Sequence, residues 1–131
     1  METVALPWLH PMALPPCIEL GEGIDALSLR QGLARLTREE GVRALVAFGS
    51  RARGDAHADS DLDLVVICQE AELTPEGKLA GWRRYRERLG QVTVGVDLIV
   101  TGWRQAEKMA GSRWHVMGDV AREGKVLYVA G

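Results

Sequence analysis

Phe48-Gly49-Ser50, ten further residues, then Asp61-Leu62-Asp63-Leu64-Val65-Val66 is the stretch on which the reading of this 131-residue sequence turns. Arg43 to Phe48 is a short apolar run of the buried-strand type, and it stops abruptly at Gly49-Ser50. Residues 51–60 are small and polar, and they predict a short helix followed by a loop. Asp61 to Cys68 then reads as a second strand. Residues i and i+2 of a strand share a face. Asp61 and Asp63 therefore project together, while Leu62, Leu64 and Val66 point the other way into a core. Two carboxylates a few ångströms apart repel one another at neutral pH, so such a pair either shifts its pKa values or holds a cation. Hard divalent ions such as Mg²⁺ take oxygen ligands and keep room for water and phosphate oxygens.

A third carboxylate stands in Thr93-Val94-Gly95-Val96-Asp97-Leu98-Ile99-Val100, where Asp97 is the only charge. A lone carboxylate in so apolar a strand costs free energy unless something pairs with it. If the strand carrying Asp61 and Asp63 lies beside it, all three line one pocket, with metal ions screening their repulsion. Gly49-Ser50 suits the same picture. A strand that stops there and turns into a helix presents backbone N–H groups and a hydroxyl to phosphate, and glycine permits close approach. Arg51 and Arg53 follow directly, either able to meet phosphate oxygens, and Ser60, just before the first aspartate, is a further candidate nucleotide-binding residue. Taken singly, an Asp-x-Asp strand is more often a solvated face and a Gly-Ser more often a plain turn. Their joint order and spacing carry the weight.

Working outward, Leu29, Leu33 and Leu36 recur at helical spacing and predict a helix from about Ile24 to Glu40, with Gly41 as its cap. Glu76 to Leu89 predicts a second long helix. Leu79, Trp82, Tyr85 or Arg86, and Leu89 would line one side, and Lys78, Arg83, Arg84, Glu87 and Arg88 the other, before Gly90. Val92 to Thr101 predicts a third strand, Trp103 to about Arg113 a helix, then a short helical segment to Gly124, and Lys125 to Val129 a last strand. The order αβαβαβααβ predicts an α/β (α+β) fold, a small mixed sheet covered by helices. Residues 1–20, with Pro7, Pro11, Pro15 and Pro16, predict an extended or irregular arm, docked or disordered, ahead of one domain over residues 21–131.

Apolar residues make up 47% and charged residues 26%, an ordinary globular balance. The formal net charge of −2 shows no basic surplus, which disfavours nucleic acid as a partner. Cys17 and Cys68 fit neither a disulfide framework nor a zinc site. No apolar run approaches the length of a membrane span. Glu2 stands where a signal peptide would carry Lys or Arg, so the expected location is cytoplasmic. His10, His57 and His115 show no ligand spacing among themselves and read as ordinary histidines.

Gly49-Ser50 … Asp61-Leu62-Asp63 with the later Val96-Asp97-Leu98 resembles the signature of the polymerase-β-type nucleotidyltransferase superfamily. The fuller string Gly-Ser-Arg-Ala-Arg-Gly-Asp-Ala to Ser-Asp-Leu-Asp-Leu is similar to its minimal branch, often called MNT, as is the closing Ala121-Arg122-Glu123-Gly124-Lys125-Val126-Leu127-Tyr128. The resemblance implies transfer of a nucleoside monophosphate from ATP or another NTP to an acceptor, with release of pyrophosphate. It implies two Mg²⁺ ions on Asp61 and Asp63, with Asp97 assisting and able to take the acceptor's proton, and the triphosphate held by Gly49 and Ser50. Members of that branch are often antitoxins encoded beside a HEPN-domain toxin, and some adenylylate a tyrosine of it. The implied partners are thus a nucleoside triphosphate and a HEPN-type protein, with a homo-oligomer as a further expectation. A different reading, an antitoxin that acts by occluding its partner without catalysis, draws on Trp8, Trp103 and Trp114 as interface residues. The proline-rich arm is the departure from the family pattern.

Overall fold

The computed structural model describes residues 6–131, and the first five residues of the expected arm lie outside it. The elements run α1 (Ala26–Thr37), β1 (Val42–Phe48), α2 (Gly49–Arg53), β2 (Leu62–Cys68), α3 (Pro75–Leu89), β3 (Val96–Gly102), α4 (Trp103–Met109), α5 (Val116–Glu123) and β4 (Lys125–Val129). This is the αβαβαβααβ order expected. The four strands form one mixed sheet in the order β3-β2-β1-β4. β1 is antiparallel to both β2 and β4, and β2 is parallel to β3.

Alternation along the strands builds two cores, one on each face of the sheet. Leu62, Leu64, Val66 and Cys68 of β2 join Leu29, Leu33 and Leu36 of α1 with Tyr85 and Leu89 of α3. Val65 and Ile67 point the opposite way, to Ala106 of α4 and Met117 and Val120 of α5. The arm is laid into this body. Trp8 is buried in the second core and Ile18 and Leu20 in the first. Met12 exchanges both backbone hydrogen bonds with Val129, N–H to carbonyl at 3.0 and 2.9 Å, so the arm bridges the end of β4 on its outer edge.

Several local expectations are corrected. The packed side of α3 is Gly77, Gly81, Tyr85 and Leu89, whereas Leu79 and Trp82 remain 50% and 42% exposed. The helix lies so close to the sheet that a Cβ at Gly81 would sit 3.1 Å from Val100 Cγ1. Small residues, not large ones, make that approach. Gly41 is not the cap of α1; that place is taken by Arg38, whose N–H donates to the Arg35 carbonyl at 3.2 Å, with Glu39 N–H donating to the Leu36 carbonyl at 3.1 Å. A Cβ at Gly41 would instead meet the Tyr85 hydroxyl at 2.7 Å. β3 starts four residues later than expected, because Thr93 takes φ 72°, a left-handed conformation that ends any strand. Its hydroxyl accepts from Asp25 N–H at 3.0 Å and donates to Gly23 C=O at 2.8 Å, fastening this turn to the start of α1. α4 is shorter than expected, ending at Met109.

Gly32 illustrates the same close packing. Glycine inside a helix ordinarily costs about 1 kcal/mol relative to alanine. Here a Cβ would overlap the Leu89 carbonyl oxygen, where α1 crosses the end of α3. Gly32→Ala should therefore lower stability by about 1–2 kcal/mol in urea unfolding, the reverse of the helix-propensity effect.

Candidate active site

Strand directions bring the chemistry-bearing residues to one end of the sheet. β1 leaves, and β2 enters, at the same end because the two are antiparallel. β3 enters there too because it is parallel to β2. The register is direct: Phe48 pairs with Asp63, and Asp63 pairs with Asp97. Gly49, Ser50, Asp61, Asp63 and Asp97 therefore share one rim of the sheet.

Two glycines make room for the carboxylates. Gly49 opens α2 with φ 71°, and a Cβ there would overlap Asp63 Oδ2. Gly95 stands just ahead of β3, its carbonyl accepting the Leu62 N–H at 2.8 Å, and a Cβ there would overlap the Asp61 carboxylate. Burial pushes Asp63 above the usual carboxylate range, helped by the charge and hydrogen bonding of Asp97 and then by the charge of Asp61, while Arg53 pulls it back down. Asp97 is exposed. It stands at the solvent-facing start of the strand rather than within the apolar run that follows.

Among the described residues no three carboxylate, histidine or cysteine groups close on a single metal-sized point. Mg²⁺ asks for less than that, since it is commonly held by one or two carboxylates with water and substrate phosphates filling the other positions. Asp63 opposite Asp97, with Asp61 beside it and glycine backbone instead of side chains against both entering aspartates, is a donor set that fits the ion. The geometry can hold a hard cation and admit a phosphate.

The other expected site residues stand differently. Arg51 is buried at 3% exposure, and its guanidinium donates to the carbonyls of Leu20, Glu22, His57, Ala58 and Ser60 at 2.8–3.4 Å. With its donors committed to backbone it does not reach the site as a phosphate ligand. It clamps the end of the arm to the loop that delivers Asp61. Ser60 belongs to the same loop, its hydroxyl accepting the His57 N–H at 2.8 Å. Arg53 is exposed and paired with Asp55 and Glu123, both at 3.4 Å, yet close enough for its charge to act on Asp63. Ser50 occupies the first turn of α2, its carbonyl accepting from Gly54 and Asp55. Gly95 was missed as a site residue. A glycine within an otherwise β-branched run marks a close approach of another group, and that was its signal.

The family model for the nucleotidyltransferase domain matches residues 29–113, from α1 past the end of α4. No curated protein sequence matches the chain. Solved structures that resemble it include the following two. A crystal structure of a toxin–antitoxin with AMP-PNP is 20% identical, over 76% of this chain and 72% of that one, with a TM-score of 0.49. A Sulfolobus solfataricus protein provisionally named a nucleotidyltransferase is 16% identical, over 79% and 78%, with a TM-score of 0.48.

The opposed carboxylates set a stability test. Because Asp63 titrates above the ordinary aspartate value of 3.8 when folded, its charged form destabilises the metal-free protein at neutral pH. Asp63→Asn should raise the unfolding free energy measured by urea titration in EDTA at pH 7 by about 0.5 kcal/mol, the scale of one like-charge cross-strand pair. The gain should shrink as the pH falls through the raised value toward 3.8, where the wild-type carboxyl becomes neutral too.

Proposed function

Since this chain belongs to the nucleotidyltransferase domain family, we propose that it transfers a nucleoside monophosphate, AMP from ATP, to a hydroxyl on a partner protein. The observation that carries the reading is the register Phe48–Asp63–Asp97, which sets two carboxylates opposite one another beside a glycine turn. In this reading Asp61 and Asp63 hold Mg²⁺, with Asp97 as a further ligand. The bound ion supplies charge neutralisation of the triphosphate and a lowered pKa for the attacking hydroxyl. Gly49, bare of a Cβ, admits a phosphate against its backbone, and Ser50 offers its N–H and hydroxyl. The exposed Asp97 carboxylate takes the acceptor's proton. The acceptor oxygen bonds to the α-phosphorus as the bond to the β-phosphate oxygen breaks, and pyrophosphate leaves.

The partner follows from the resemblance to the minimal branch: a HEPN-type toxin whose activity the modification suppresses, in the cytoplasm. Among the described residues no helix is long and apolar enough to cross a membrane. The occlusion reading keeps one favourable observation, Trp114 at 94% exposure. Its other supports are spent inside the fold, Trp8 in the core and Trp103 beneath the Arg43 and Arg104 guanidiniums at 5.0 and 5.3 Å.

The test uses ATP labelled at the α-phosphate or at the γ-phosphate, incubated with the protein, Mg²⁺ and the product of the neighbouring gene. Label from the α position alone should become protein-bound. Asp97→Asn should lower the rate about 10²–10⁴-fold, the usual worth of a general base. Neutralisation of the partner without label, and unaffected by Asp97→Asn, would favour occlusion.

A further inference from the structure

We propose that the acceptor docks on the open edge of β3 as an added strand, with its hydroxyl at Asp97 and an acidic side chain four residues away in a basic cleft. The inference rests on the transferase reading and names the surface that reading requires. The sheet has two edges, and the fold treats them differently. The β4 edge is bridged at Val129 by Met12, whereas β3 pairs only with β2 among the described residues. Leu98 and Val100 retain 8% and 6% exposure where their β2 neighbours Leu64 and Val66 retain none. An unpaired strand edge pairs readily with another chain, and proteins ordinarily blunt such edges with charge, proline or a covering segment. β3 carries one charge along its length, Asp97.

The hydrogen-bonding pattern leaves this edge ready to accept a strand. Leu62 N–H bonds to the Gly95 carbonyl, so the alternation of a parallel ladder directs the peptide groups of Val96, Leu98 and Val100 outward. A segment added there places its main chain beside Asp97 with no rearrangement. The side of α3 turned away from α1 carries Leu79 and Trp82, apolar surface suited to flank such a segment.

The far end of β3 supplies the specificity. A cleft of about 360 Å³ is lined there by Lys78, Thr101, Gln105, Lys108 and His115, with Glu72 as its one carboxylate. Neither lysine takes part in an ion pair among the described residues. His115 Nδ1 accepts the Met117 N–H at 3.0 Å, so the neutral ring carries its hydrogen on Nε2 as a donor. Two free ammonium groups and that donor favour an anion. Asp97 and Thr101 are four residues apart on one strand face, roughly 13 Å. A docked strand keeps the same repeat, so the acceptor hydroxyl and the recognised carboxylate stand four residues apart.

The probes are nine-residue peptides of alternating valine and threonine carrying one tyrosine and one glutamate, spaced two, four or six residues apart. Binding to the full chain is followed by fluorescence anisotropy, and label transfer from α-labelled ATP is measured separately. The four-residue spacing should bind best, and glutamine in place of the glutamate should weaken it about fivefold, an exposed ion-pair effect. Lys78→Ala/Lys108→Ala should abolish that preference, and N-methylation of the peptide backbone should cost about tenfold or more. Affinity indifferent to spacing and N-methylation, no binding by any peptide, or a concentration-dependent dimer that protects the β3 amides would overturn the proposal. Binding with these signatures but no label transfer would keep the docking surface and remove the transferase reading. Transfer without the signatures would do the opposite.

Discussion

The structure depends on one constraint, the register that sets Asp63 opposite both Phe48 and Asp97. An antiparallel neighbour on one side and a parallel neighbour on the other oblige three chain segments to meet at one end of the sheet. The glycine turn after β1 and the acidic starts of β2 and β3 have no other place to go. A shift of one residue in either pairing would turn Asp63 into the first core and Leu62 or Leu64 toward solvent, so the hydrophobic pattern fixes the site. The site is a consequence of burying Leu62, Leu64 and Val66.

Holding like charges at this rim works against stability, and the surrounding structure offsets it by rigidity. The Asp63 pKa is raised by burial and by its acidic neighbours, the direct consequence of gathering carboxylates at one rim. Arg51 contributes from within. Its guanidinium joins five backbone carbonyls of the arm and of the 57–60 loop, and hydrogen bonds from a charged donor are worth about 1.5–3 kcal/mol each. The loop that delivers Asp61 is thereby tied to the end of the arm. Thr93, held at positive φ by bonds to Gly23 and Asp25, fastens the segment before β3 in the same way.

Most of the fold was legible because its strands are short apolar runs bounded by glycine and by charge. β4 was read to the residue, and the three aspartates were readable from period-two alternation and from one isolated charge. The misreadings have a common physical cause, contacts between segments far apart in sequence. Leu79 and Trp82 looked like the packed side of α3 by hydrophobicity, but Gly81 lets the helix approach Val100 of the sheet, and Tyr85 and Leu89 are the buried residues. Arg51 looked like a phosphate ligand by position, yet carbonyls from Leu20 to Ser60 claim it. Trp8 looked like a candidate interface residue until the arm carried it into the second core. Neither spacing nor composition encodes such partners.

The central claim is that the aspartate rim binds a metal–nucleotide complex, and calorimetric titration of ATP into the protein, with Mg²⁺ or with EDTA, tests it most directly. The expected result is saturable binding that requires Mg²⁺ and disappears in Asp61→Asn/Asp63→Asn, while that variant unfolds at an unchanged or higher urea concentration. Binding of ATP with equal affinity in EDTA and in the double variant would contradict the claim, because the nucleotide would then be held away from the carboxylates.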